Sequence, residues 1–296
     1  MSQYYVIPDV LDRYVRAVAK GKVTHHDALP WKGERQEDTF HASDTLGCHR
    51  TRLLKRIKAP KTENDPVSMR RFILGDMVES IVQQALVYCI DHEEPYRGFK
   101  CEYHRHVSVP EWELTGTLDF LMTFPDGTVV LIDTKSCLQM KIDYVKKGEK
   151  DRKHYGQLSV YGMALAAEKQ KVDIKMVVYI EKGTMATHPD VVPEGFEATV
   201  SEDYGILMKE WANYKKTRIM APEMAFVPGK QGIRRDKSVY WKNDPNGGEM
   251  MPNVFTADPN TGVIGCCDPR YCQFLQHCGK VKGWWTQHGL APKDEE

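Results

Sequence analysis

Apolar positions recur at helical spacing over residues 8–20 and again over 68–90. In the second stretch Phe72, Gly75, Val78, Ile81, Val82 and Leu86 mark the side expected to be buried. A shorter helix is predicted over 48–57, with Ser43 or Asp44 as its cap. Residues 99–109 alternate like a strand. In "GTLDFLMTFPDGTVVLIDTKS" (116–136) two apolar runs flank Pro125-Asp126-Gly127, which is turn chemistry, so the pair reads as a hairpin. A helix over 153–168, a strand over 175–183 and a helix over 201–219 follow. Residues 21–42, 58–66 and 221–265 are polar or rich in Pro, Gly and Asn and read as connections. Helix, three strands, helix, strand is the order of a single α/β domain with a mixed sheet. The helix before the strand at 175–183 would be a right-handed crossover.

The composition agrees with such a core. Of 296 residues, 41% are hydrophobic and 28% charged, which is ordinary for a globular chain. Lys and Arg total 41, as do Asp and Glu, so the formal net charge is zero. A local basic groove can still sit within a neutral total, so nucleic acid is neither favoured nor excluded by charge. No run of about 18 apolar residues occurs, and the N-terminus has no signal-peptide pattern. The expectation is a cytoplasmic protein of a bacterial, archaeal or phage-infected host cell, without a membrane partner.

The hairpin raises a chemical question. Asp119 stands inside the first apolar run; Asp133 and Lys135 end the second. A buried carboxylate is costly unless it is paired or holds a metal. Strand alternation puts Asp133 and Lys135 on one face, with Thr134 pointing away. Carboxylate oxygens suit Mg²⁺ or Mn²⁺, and a cation there can polarise a phosphodiester and activate water. The alternative is an ordinary ion pair at the end of a surface hairpin. Glu79, on the long helix, and Gln157 and Tyr161, four apart on the helix after the hairpin, add further polar groups at predicted buried faces.

In order, these residues form Gly75-x-x-x-Glu79, Gly116-x-Leu118-Asp119, Ile132-Asp133-x-Lys135 and Gln157-x-x-x-Tyr161. That succession resembles the RecB-like branch of the PD-(D/E)xK nuclease superfamily. The resemblance implies a restriction-endonuclease-like mixed β-sheet core flanked by helices, spanning about 68–183 of a single nuclease domain, 1–296. It implies Glu79, Asp119 and Asp133 as ligands of Mg²⁺ or Mn²⁺, with help from the Thr134 carbonyl. Lys135 would assist the water, and Gln157 and Tyr161 would support substrate. Two positions differ from common members: Asp133 stands where many carry Glu, and Glu79 where close relatives often carry His.

The eight cysteines are Cys48, Cys89, Cys101, Cys137, Cys266, Cys267, Cys272 and Cys278. Four of them fall within 266–278, a clustering that suggests metal binding more than packing. Four thiolates can hold an iron–sulfur cluster or a tetrahedral zinc. One early and three late cysteines resemble the CRISPR-associated and AddB-type iron–sulfur exonucleases of the same superfamily. That implies a [4Fe–4S] cluster on Cys48, Cys267, Cys272 and Cys278, with Cys266 as the alternative to Cys267 and Zn²⁺ as the alternative to iron. Pro269 stands where the family pattern has a cysteine. Cys89, Cys101 and Cys137 read as ordinary core residues, and His25, His26 and His41 as loop residues.

Basic stretches at 49–61, Arg70 and Arg71, 146–154, and 230–242 are candidates for phosphate contacts; the last also holds Tyr240 and Trp241, which suit unpaired bases. The function expected is a metal-dependent DNA exonuclease acting on single strands or ends, in recombination, repair or phage and CRISPR DNA processing. A second copy or a recombination or CRISPR protein would be its partner. The rival reading is a non-catalytic DNA-binding or assembly module that keeps the fold.

Overall fold

The computed structural model describes residues 2–23, 38–59, 66–148 and 151–217, and the paired strands Lys230–Ile233 and Val239–Lys242. The chain divides into two compact units, one of residues 1–43 and 65–197, the other of 44–64 and 198–296.

The first unit is built on helices α1 (Ile7–Ala19) and α3 (Pro66–His92) and strands β1 (Phe40–His41), β2 (Lys100–Tyr103), β3 (His106–Val109), β4 (Leu114–Thr117), β5 (Phe120–Thr123), β6 (Val129–Cys137), β7 (Ile174–Glu181) and β8 (Thr187–Val191). Helices α4 (Gln139–Lys146) and α5 (Arg152–Ala167) cross between β6 and β7. The main sheet has the order β2-β5-β6-β7-β8. Only β6 and β7 run parallel within it, as a crossover through helices requires; the other pairs are antiparallel. The fold is therefore mixed α/β.

One face of this sheet, with Phe120, Met122, Val130, Ile132, Met176, Val178 and Ile180, packs under α1 and the second half of α3. Ile7, Val10, Leu11 and Tyr14 meet Val78, Val82, Ala85, Leu86 and Cys89 there. Helix α5 packs against β6 and β7 of this sheet and also against β3. With helices on both faces, β6 is buried from Val129 to Thr134, which is why its sequence reads as a continuous apolar run. The β5–β6 turn closes at Phe124 to Thr128, with Gly127 at φ 85°, a left-handed conformation that glycine adopts without strain.

Several expectations are corrected. Residues 99–109 form two strands rather than one, broken at His104, whose φ is 51°. The facing strand breaks at Leu118 and Asp119, so Asp119 lies between β4 and β5 and not inside a strand. Across the break, His104 N donates to the Asp119 carbonyl (3.2 Å) and Leu118 N to the Arg105 carbonyl (3.0 Å). The ribbon thus stays paired while it bends. Its near half joins the main sheet; its far half forms a second sheet of order β1-β4-β3.

Phe72 was expected on the buried side of the long helix but is 59% exposed; burial begins only at Val78. Val67, Met69, Ile73, Leu74 and Met77 are exposed as well. By length and composition α3 could cross a bilayer, yet its second half is core and Asp76 and Glu79 interrupt the apolar stretch. Helix α4 and strands β1 and β8 were not anticipated.

In the second unit, α2 (His49–Arg56) begins at Cys48, with no side-chain cap. The expected cap residues Ser43 and Asp44 lie in a separate 3₁₀ turn, and Asp44 pairs instead with Lys55 at 2.5 Å. Arg52 is buried, its guanidinium 4.2 Å from the centre of the Tyr204 ring and 2.5 Å from Asp203 of helix α6 (Phe196–Thr217). His49 lies between Asp203 (2.8 Å) and Glu210 (3.1 Å). Burial opposes its charge, but hydrogen bonds to those two carboxylates and the Asp203 charge raise its pKa to about 9. Arg52 is thus a buried ion-pair partner, and not the phosphate contact its basic stretch suggested. Strands β9 (Lys230–Ile233) and β10 (Val239–Lys242) pair antiparallel.

Candidate active site

The bend of the ribbon has a direct consequence for β6. Where β5 gives way to Asp119, β6 continues and its next N–H needs a new acceptor. Asp119 supplies it: Oδ2 accepts from Thr134 N (2.8 Å) and from Thr134 Oγ1 (3.0 Å). Asp119 is therefore held as a side-chain substitute for the missing strand. Thr134 does not simply point away, since both its hydroxyl and its N–H are committed to this carboxylate.

Asp133 and Lys135 do share a face. Lys135 Nζ lies 2.6 Å from Asp133 Oδ2. Asp133 has no exposed surface, and neither of its oxygens accepts an aligned hydrogen bond among the described residues. The Lys135 contact is thus ionic rather than a directed bond. Two buried carboxylate oxygens in that state are an arrangement a cation would complete.

Glu79, on α3, lies within electrostatic reach of the pair. Burial first, then the charges of Asp133 and Glu79, push the Asp119 carboxyl up to about 7, against the pull of Lys135 and of the Thr134 N–H. Burial opposes the Lys135 charge, yet Asp133, Asp119 and Glu79 together raise its pKa. Three acids face one ammonium. Among the described residues no three His, Cys, Asp or Glu side chains form a ready coordination shell as they stand. The donor set still suits a hard divalent cation: Asp119, Asp133 and Glu79 offer carboxylate oxygens, and Asp133 Oδ1 is buried without an aligned hydrogen bond among the described residues.

Gln157 and Tyr161 meet across one turn of α5. Gln157 Nε2 donates to Tyr161 OH (2.9 Å), which donates to the Thr117 carbonyl (2.8 Å). Both side chains are buried. Their visible contacts anchor the last residue of β4, two positions before Asp119. Gly116 makes this possible: a Cβ there would lie 2.6 Å from Tyr161 Cε1 and 2.9 Å from the Ala42 Cβ. Burial and the Asp133 and Asp119 charges hold the Tyr161 phenol neutral. Gly75 lets α3 approach the end of β6, where a Cβ would be 3.2 Å from Ser136 Oγ.

Two residues near these groups were missed. His104 Nε2 is 3.2 Å from Glu79 Oε1. His154 donates to or accepts from Tyr179 OH (2.9 Å), and Tyr179 is the register partner of Lys135 on β7. Burial, with Lys135 and Lys141 nearby, lowers the His154 pKa to about 4 despite Asp151 and Asp133, so its ring is neutral at pH 7. His104 keeps the polar phase of the alternating run at 99–109, so nothing at that position signalled its role. His154 was hidden in a basic stretch.

The candidate cluster ligands are only partly placed. Cys48 is the N-cap of α2; Cys266, Cys267, Cys272 and Cys278 lie outside the described residues, as do His25, His26, Arg234, Arg235 and Lys237. Cys89 is buried, whereas Cys101 and Cys137 are only partly so.

Among solved structures, an alkaline exonuclease from Laribacter hongkongensis aligns with a TM-score of 0.43 at 14% identity, over 62% of this chain and 93% of its own. The protein SSO0001 aligns with a TM-score of 0.37 at 18% identity, over 70% and 88%. A candidate exonuclease from Eubacterium rectale gives 0.41 at 10% identity, over 67% and 88%. Likeness of that degree adds nothing to the assignment, and no curated protein matches the sequence. The family model of the PD-(D/E)XK nuclease superfamily, however, matches residues 9–279. The chain belongs to the PD-(D/E)XK nuclease superfamily.

Proposed function

We propose that the protein is a divalent-metal-dependent deoxyribonuclease that acts as an exonuclease on single strands or DNA ends. One observation carries the reading. Asp133 is buried with both oxygens lacking an aligned hydrogen bond, beside Lys135 and within the field of Asp119 and Glu79. A structural ion pair would be expected to saturate those oxygens; a cation site would not.

Asp119, Asp133 and Glu79, with the Thr134 carbonyl, would hold Mg²⁺ or Mn²⁺. When bound, such an ion supplies Lewis-acid polarisation of the phosphodiester and a lower pKa for its water. Asp133 holds the Lys135 ammonium at the site. From there Lys135 orients the attacking hydroxide and offsets the charge that grows on the phosphate oxygens. Thr134 fixes the Asp119 carboxylate through two hydrogen bonds. Gln157 and Tyr161 hold the β4 end that leads into Asp119. The exposed Arg70 and Arg71, less than three turns before Glu79 on α3, and Lys146 and Lys147 at the end of α4 would meet the phosphate backbone.

The proposal extends to a structural [4Fe–4S] cluster on Cys48, Cys267, Cys272 and Cys278, with Cys266 in place of Cys267 or zinc in place of iron as variants. It rests on the cysteine spacing, as in the CRISPR-associated and AddB-type enzymes. A brown protein carrying iron and sulfide supports it; a colourless protein with stoichiometric zinc replaces it.

The test of activity is cleavage of end-labelled single- and double-stranded DNA by anaerobically purified protein with Mg²⁺, with Mn²⁺ and with EDTA. Metal-dependent cleavage that shortens from an end is expected. Binding without cleavage under all conditions would favour a non-catalytic module.

A further inference from the structure

His104 touches two parts of the acidic site from a single point in the chain. Its backbone N–H donates to the Asp119 carbonyl, and its Nε2 lies 3.2 Å from Glu79 Oε1. Nε2 is buried and makes no aligned hydrogen bond among the described residues, so its contact with Glu79 is one of distance and charge, short of full hydrogen-bond geometry. A carboxylate oxygen at that distance is an acceptor that Nε2–H could engage after a small rotation of either side chain.

The backbone adds a second observation. His104 has φ 51°, in the left-handed region. Side chains there are uncommon, although His, Asn and Asp adopt it more readily than others. The conformation is locked by the break it creates, because the ribbon stays paired on both sides of it. The ring is therefore presented by a rigid bend, whereas Glu79 sits on a long flexible side chain.

We propose that His104 is a positioning residue that holds the Glu79 carboxylate, through Nε2–H, in the orientation in which it binds the divalent cation. The inference rests on the reading of Glu79, Asp119 and Asp133 as cation ligands. It assigns His104 no contact with substrate or metal; its action runs through Glu79. Partners of this kind are worth about 10- to 100-fold in metal affinity.

The test is Mn²⁺ binding to the DNA-free protein, followed by the loss of the free-ion electron paramagnetic resonance signal. His104→Asn keeps the left-handed backbone but is too short to reach Glu79; His104→Gln can return an N–H near the position of Nε2. The asparagine variant is expected to bind Mn²⁺ about 10- to 100-fold more weakly with an unchanged melting temperature, and the glutamine variant to recover most of that loss. In cleavage, the asparagine variant should need more metal for half-maximal rate yet reach the wild-type rate at saturation. In a Glu79→Ala background, His104→Asn should have no further effect on Mn²⁺ affinity. An additive loss there, or wild-type affinity in His104→Asn alone, overturns the proposal. Asp133→Asn separates the two levels: if it binds Mn²⁺ as the wild type does, the cation site itself is wrong. If it loses Mn²⁺ while His104→Asn does not, only the positioning role falls.

Discussion

Asp119 Oδ2 accepts both the N–H and the hydroxyl of Thr134, at 2.8 and 3.0 Å, where the neighbouring strand has bent away. One carboxylate therefore completes the sheet and faces the candidate cation site. These two duties respond differently to substitution. Asp119→Ala leaves a buried N–H and hydroxyl without an acceptor, which costs about 1–3 kcal/mol. Asp119→Asn keeps an acceptor and removes a charge from a crowded acidic site, so the metal-free protein should melt at or above the wild-type temperature. Neither variant should cleave DNA with Mg²⁺. Thermal melts with and without Mg²⁺ check this: the wild type should gain stability from the ion and Asp119→Asn should gain little.

Lys135→Ala separates charge compensation from chemistry. Removing the ammonium leaves Asp133 buried with no cation beside it, and melting without metal should fall. Part of the cost is screened, since the Lys135 side chain is about a quarter exposed. Saturating Mg²⁺ should restore most of the melting temperature but not cleavage, which should stay down by at least about 100-fold. Cleavage near the wild-type rate would remove Lys135 from the mechanism.

Gly116→Ala should act at a distance of one side chain. Its Cβ would press on the Tyr161 ring and on Ala42, an overpacking expected to cost about 1–3 kcal/mol. Because Tyr161 anchors the Thr117 carbonyl, cleavage should fall further than stability. A double-mutant cycle with Tyr161→Ala, read by chemical denaturation, should show that the two changes are not additive.

The second unit has its own pH dependence. His49 has a folded pKa of about 9 against an ordinary value of 6.5. Its contribution is therefore complete below about pH 6.5 and is lost as pH rises through about 9. The shift corresponds to at most about 3 kcal/mol. Asp203, buried, is held below the usual carboxylate range by the Arg52 charge and by His49, so its contribution disappears only in acid. Melts of the wild type should fall between pH 7 and 9.5, and His49→Gln should flatten that slope. An unchanged slope would show that the ring is not charged in the folded state.

The α/β class, the β5–β6 hairpin and the α5 crossover were legible because Pro125-Asp126-Gly127 marks a turn between two short apolar runs and α5 is a longer stretch of small and apolar residues. Asp133 and Lys135 sharing a face followed from alternation alone. The break at His104 and Leu118 was not legible, since nothing in the local residue types announces a ribbon that changes sheets. Hence alternation alone puts Asp119 inside a strand and turns Thr134 away. Phe72 was read as buried because its helical phase is right; phase identifies a face, not how far along the helix the sheet extends. Arg52 looked like a phosphate contact because its partner, Asp203, is remote in sequence.

The paired break also sets where this chain can change length. An added residue between Thr117 and Phe120 would turn every following side chain of β5 to the opposite face and carry Asp119 away from Thr134. An added residue at Asp126 or Gly127 would only enlarge a surface turn. Insertions, tags or reporter loops therefore belong at the far end of the hairpin, while the bend itself admits none.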